Sequence, residues 1–154
     1  MKGHEKIIIS LNGLLADELT AINQYMVHAE ICDNWGYSKL HEVIEKRAIA
    51  EMKHAEKLIE RILFLEGTPI VSHLNDIHIG PEVEQILKND WDAEYTAIKT
   101  YNEANKLAIE LVDNGTHDLL LSIITQEEEH IDWIEKQMDL IDQMGIQNYL
   151  VDQV

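Results

Sequence analysis

The chain carries one set of residues twice. Glu18-Leu19-Thr20-Ala21-Ile22-Asn23-Gln24-Tyr25 returns as Glu94-Tyr95-Thr96-Ala97-Ile98-Lys99-Thr100-Tyr101, a shared E-x-T-A-I-x-x-Y at an offset of 76 residues (94 − 18). The same offset relates Glu51-Met52-Lys53-His54 to Glu127-Glu128-Glu129-His130. Within each half the lone glutamate precedes the glutamate of E-x-x-H by 33 residues (51 − 18 and 127 − 94). A duplication of this kind predicts two equivalent halves, each supplying two acids and one histidine to a single site.

Turn residues divide the rest of the chain. Asn34 to Ser38 reads as a short turn with Ser38 as N-cap, and Gly67-Thr68-Pro69 stops a helix. Gly80-Pro81 starts another, proline being suited to the first helical position, and Asp113 to Thr116 is a stop and cap. Met144-Gly145 closes the last long segment before a short apolar tail. This leaves segments 4–34, 38–66, 81–113 and 116–144, all with apolar residues at helical spacing and none with strand-like alternation. Helices of this length are rods of roughly 40–50 Å. The stretch 67–80 is too long for a tight hairpin, so it is expected to cross over along the bundle and set helices 2 and 3 parallel. The predicted fold is all-α: a four-helix bundle with a long crossover and a short C-terminal fifth helix.

The repeated acids fall inside the apolar stripes. Glu18 lies four residues from both Leu14 and Ile22, Glu51 between Ala48 and Ala55, Glu94 between Trp91 and Ile98, and Glu127 between Ile123 and Ile134. The i, i+3 spacing sets His54 and His130 on the same faces as Glu51 and Glu127. Ionised carboxylates in an apolar interior are heavily penalised unless paired or metal-bound, and four together also repel. The stripes offer no lysine or arginine at neighbouring levels, so two divalent cations are the expected compensation. Any one of these residues alone reads as a solvated acid or a core histidine. Six under one offset do not.

Over essentially its whole length the chain resembles bacterioferritins, on Glu18, Glu51-x-x-His54, Glu94, Glu127-x-x-His130, Met52 and the short C-terminal segment. The resemblance implies one ferritin-like diiron domain over 1–154, with this ligand set by which ferritin-like dinuclear bundles are known. It implies a ferroxidase that oxidises Fe²⁺ with O₂ or H₂O₂ at two Fe ions per subunit. Glu51 and Glu127 would bridge them; Glu18 with His54, and Glu94 with His130, would each serve one iron. It further implies a homomeric shell of 24 subunits, built from two-fold dimers and storing ferric mineral in the cytoplasm. In such proteins a methionine at the place of Met52, one from each of two subunits, ligates a b-type haem, one per subunit pair, through which a ferredoxin would release iron. Without the resemblance, Met52 reads as an outward interface or gap-filling residue. Ligand type alone also suits Mn²⁺ or Zn²⁺. The alternative function is a dinuclear-carboxylate peroxidase or oxidase that stores nothing; a third reading is a structural bundle with all its acids solvated.

Some bacterioferritins also carry a His and an Asp just before the second-helix E-x-x-H, as an iron site on the cavity wall. Here Lys46, Arg47 and Ala50 stand in that stretch, so iron is expected to reach the mineral through the dinuclear site, with His130 or His54 swinging aside. Tyr25, Tyr101 and Trp133 hydrogen-bond a ligand, donate an electron or pack as core aromatics, the last being the commoner role at helical spacing. Cys32, His28 and the histidines at 4, 41, 73, 78 and 117 share no spacing and read as structural or surface. Nucleic acid is excluded as a partner by 29 acidic against 12 basic residues, a formal charge of −17. With no long apolar run, membrane spanning is excluded too.

Overall fold

The computed structural model covers residues 1–154 and consists of five helices without a strand. These are α1 (Glu5–Asn34), α2 (Ser38–Phe64), α3 (Val83–Glu110), α4 (Asn114–Met144) and α5 (Ile146–Val151). Neighbouring pairs are α1 with α2, α3 with α4, α1 with α3 and α2 with α4, which closes a four-cornered bundle. No helix is long and apolar enough to cross a membrane.

Helix ends follow local chemistry, with two departures from expectation. Ser38 is the first helical residue and Tyr37 takes the cap position without a side-chain bond. The Tyr37 amide is tied back to the Cys32 carbonyl (2.9 Å) and Gly36 supplies φ 87, so the turn is complete one residue early. Pro81 lies outside α3, whose cap is the extended Glu82. The chain is still turning at Gly80, where an added Cβ would stand 2.4 Å from the Ile86 nitrogen.

Asp113 caps α4 as expected. Its carboxylate accepts from the Thr116 amide (3.0 Å) and hydroxyl (2.7 Å) and pairs with Arg61 (2.6 Å). Partial burial pushes its pKa up, but the Thr116 bonds and Arg61 outweigh this and hold it below the usual value. The folded-state value therefore lies below the unfolded one, so the stabilisation exists above the ordinary Asp range and disappears as pH falls through it. Asp113→Ala is expected to cost about 1 kcal/mol in chemical denaturation near neutral pH. That gap should close in acid; a gap that persists there would show that the ionised carboxylate is not what caps the helix.

The crossover is held to α1 by a polar ladder. Asn12 Oδ1 accepts from the Ile70 amide (2.8 Å), Thr20 Oγ1 from Asn75 (2.8 Å), Gln24 Oε1 from His78 (3.1 Å) and His28 Nε2 from Gly80 (3.0 Å). These partners climb α1 at multiples of four residues, so one face of the helix pairs the backbone donors of an extended strap. His28 Nδ1 then donates to the buried Asp90 (2.8 Å), which also accepts from Gln24 Nε2 (2.9 Å). The strap thus pins α1 and α3 in register.

Two apolar clusters fill the bundle. One gathers Leu11, Leu14, Leu58, Ile62, Ala108 and Leu120; the other gathers Cys32, Leu40, Ile86, Leu87, Ile134 and Tyr149, the last donated by α5. Between them lies a polar layer.

Candidate metal centre

That layer holds the six duplicated residues. Glu18, Glu51, Glu94 and Glu127 are 3%, 1%, 1% and 1% exposed, which removes the reading of solvated acids. Glu18, Glu51, His54 and Glu127 place ligand atoms within 4.8 Å of one another, and so do Glu51, Glu94 and His130. Glu51 belongs to both groups. His54 Nδ1 is 3.0 Å from Glu51, 2.9 Å from Glu127 and 3.6 Å from Glu18, and His130 Nδ1 is 2.7 Å from Glu94.

The duplication reappears as crossed hydrogen bonds. Tyr25 on α1 donates to Glu94 on α3, and Tyr101 on α3 donates to Glu18 on α1. Both phenols are fully buried, and burial with the adjacent carboxylates pushes their pKa values well up, so they stay donors. Of the roles open to these tyrosines, the structure shows core aromatics that also hydrogen-bond the buried glutamates. Trp133 stacks on His130, with ring centroids 6.2 Å apart.

The expectation of no cation at this level is wrong. Arg47 is buried, and its guanidinium lies 2.5 Å from Glu51, 2.6 Å from Glu127 and 3.6 Å from Glu94. Four residues before Glu51 on α2, it shares that glutamate's face; its length carries the charge inward from a stretch that reads as wall surface. Gln126 also escaped the sequence reading. Its Oε1 accepts from His54 Nε2–H (2.8 Å), which turns Nδ1 toward the carboxylates, a usual device for orienting a metal-binding histidine. Position 50 is equivalent to 126 under the 76-residue offset, and there Ala50 offers His130 nothing. The offset is the signal that would have exposed this asymmetry.

The electrostatics are those of a site short of positive charge. Burial, then the Glu18 charge, raises the pKa of Glu51; burial, then Glu94, raises that of Glu127. Burial acts the same way on Glu94, but the Glu127 carboxyl, His130 and Arg47 overcome it and hold Glu94 low. Burial works against the His54 cation, yet bonds to Glu127, Glu18 and Glu51 carry its pKa up to about 12. Glu51 Oε1, Glu94 Oε2 and Glu127 Oε1 are buried without a properly aligned donor. Unsatisfied carboxylate oxygens facing two imidazoles form a donor set fit for divalent transition metals.

A cavity of about 410 Å³ reaches this layer between α1, α3 and the crossover. Its lining runs from exposed Asp76 and Asp92 to buried Glu18, Glu51, Glu94 and Glu127. On the opposite side, a shallow cleft between α2 and α4 meets Arg47 and His130. Met52 points away from all of this and is half-exposed on the outer face of α2.

Comparison with known proteins agrees with this fold. Residues 8–144 match the ferritin-like domain. A bacterioferritin of Rhodobacter capsulatus is 41% identical over 97% of this chain and 92% of its own. A bacterial ferritin of Synechocystis is 41% identical over 100% and 99%, and a bacterioferritin of Brucella melitensis 38% over 97% and 92%. With the ferritin-like fold, the paired ligand motifs and this full-length similarity, the chain belongs to the bacterioferritin family.

Proposed function

We propose that the protein is an iron-storage ferroxidase: it oxidises Fe²⁺ to Fe³⁺ with O₂ or H₂O₂ inside each bundle and deposits ferric mineral within a 24-subunit shell. The observation that supports this best is the convergence of four buried glutamates, the buried His54 and the half-buried His130 on one layer, where three carboxylate oxygens lack an aligned hydrogen-bond donor. Four buried carboxylates against the single Arg47 guanidinium leave the layer short of positive charge, and its donors have the capacity for two divalent cations. Glu51 and Glu127 would be shared between the two ions, and Glu18 with His54, and Glu94 with His130, would complete the two positions. Substrate Fe²⁺ is drawn down the acid-lined cavity from Asp76 and Asp92. Two Fe²⁺ held together would supply two electrons, enough to reduce H₂O₂ to water or O₂ to H₂O₂, while the chain fixes the ligand side chains through Tyr25, Tyr101 and Gln126.

The His54–Gln126 bond and the bare Ala50 position single out His130 as the histidine that swings. Its ring lines the α2–α4 cleft, so rotation would let oxidised iron leave on the side away from the acidic cavity. Met52 is the proposed haem ligand. Its half-exposed thioether, with exposed Ile49 one turn before it, fits an apolar group shared with a second copy of the chain. The haem would carry electrons from a ferredoxin-type donor for iron release.

Aerobic loading with excess Fe²⁺ tests the reading. A shell near the mass of 24 chains that takes up on the order of hundreds of irons, with the dinuclear iron exchanging during turnover, is the expected result. A small oligomer retaining two irons per chain would instead identify the non-storing peroxidase or oxidase. A shell that fills while its dinuclear iron never exchanges would remove the His130 route.

A further inference from the structure

We infer that Arg47 is a displaceable counter-ion built into the metal centre: its guanidinium holds Glu51, Glu94 and Glu127 together, and divalent cations load by exchanging with it as the side chain moves into the α2–α4 cleft. The inference rests on the reading of the six-residue set as a metal centre.

One guanidinium nitrogen lies within 4 Å of three carboxylates, 2.5 Å from Glu51, 2.6 Å from Glu127 and 3.6 Å from Glu94. These are the oxygens that a divalent cation between Glu51 and Glu127 would use. A guanidinium cannot share them with such a cation, because the positive charges would repel in a medium of low dielectric constant.

Arg47 is held almost entirely by these carboxylates. Apart from the carboxylates, its one partner is the Gln126 carbonyl at 3.3 Å, and its Nε has none. An arginine serving only as a permanent structural clamp would be expected to use its planar fork more fully. A short path leads outward. Arg47 lines the α2–α4 cleft, where Ala50 leaves room and the exposed Glu129 offers a new carboxylate. The exchange is thus a side-chain rotation from one set of acids to another, and it opens the layer on the side where His130 stands.

The test uses Co²⁺ as the probe, titrated into the assembled shell after chelator stripping and read by its ligand-field absorption. Arg47→Ala is expected to bind Co²⁺ about tenfold tighter or more, because the competing cation is gone and the binding-competent state is no longer a fraction of the whole. The stripped variant should melt below the stripped wild type, and Co²⁺ should raise its melting point by more. Glu129→Gln is expected to weaken Co²⁺ binding several-fold in the wild-type background and to have no effect in Arg47→Ala, the signature of coupled residues. Should Arg47→Ala fail to assemble, Arg47→Lys carries the test: lysine keeps the charge on a shorter and more strongly hydrated head that reaches the three carboxylates less well, so affinity rises in the same direction by less. Unchanged or weaker binding in these variants, beside normal binding by the wild type, overturns the counter-ion role alone. A wild type that binds no Co²⁺ overturns the metal centre itself.

Discussion

Glu127→Ala is expected to abolish rapid Fe²⁺ oxidation and stoichiometric metal binding together. Loss of an outer-shell partner of a metal ligand typically costs roughly 10–100-fold in affinity or activity. Glu127 stands closer in: it lies 2.9 Å from His54, is bonded to Arg47 and faces Glu94 across the layer. On the proposed reading its removal deletes a donor from the centre of the layer, so the fall should exceed that range. The measurement is stopped-flow oxidation of two Fe²⁺ per chain, with metal content determined on the same sample. Glu127→Gln separates ligation from packing, since it preserves volume and one oxygen but removes the charge. It should fold as the wild type does and oxidise nearly as poorly as the alanine variant. Oxidation at the wild-type rate in both variants would show that these buried carboxylates do not hold the reacting iron.

Met52→Leu should have the opposite profile. Leucine matches the volume but has no sulfur lone pair, so the haem absorption band, expected at one haem per two chains, should vanish. Fe²⁺ oxidation should remain, because Met52 is half-exposed and turned away from the six-residue layer. Iron release driven by an electron donor should slow. A variant that keeps its haem would place the axial ligand elsewhere, and one that loses oxidation as well would mean that the outer face and the buried layer are coupled.

Much of the fold was legible because helical periodicity and sparse turn residues are local signals. Asp113, Gly67 and Gly145 mark ends that the structure places within a few residues. Ser38 and Pro81 each missed by one or two positions, since the turn before Ser38 and the packing of Gly80 on Ile86 depend on contacts five and six residues apart, beyond the reach of a single cap or proline signal. The α1 ladder of Asn12, Thr20, Gln24 and His28 went unread. Its members share no residue type, and their partners are backbone amides of the crossover.

The duplication identified all six candidate ligands from the chain alone, because a buried carboxylate at a fixed offset carries its own energetic argument. Sequence also set the number of helices and the outward direction of Met52, which follow from 3.6 residues per turn. Tertiary structure alone decided that Tyr25 serves the glutamate of the other half, that Gln126 holds His54, and that Arg47 reaches into the acidic layer. The physical reason is reach. Backbone periodicity tells which way a side chain leaves its helix, whereas the end of a long polar side chain settles wherever the charges of three other helices draw it.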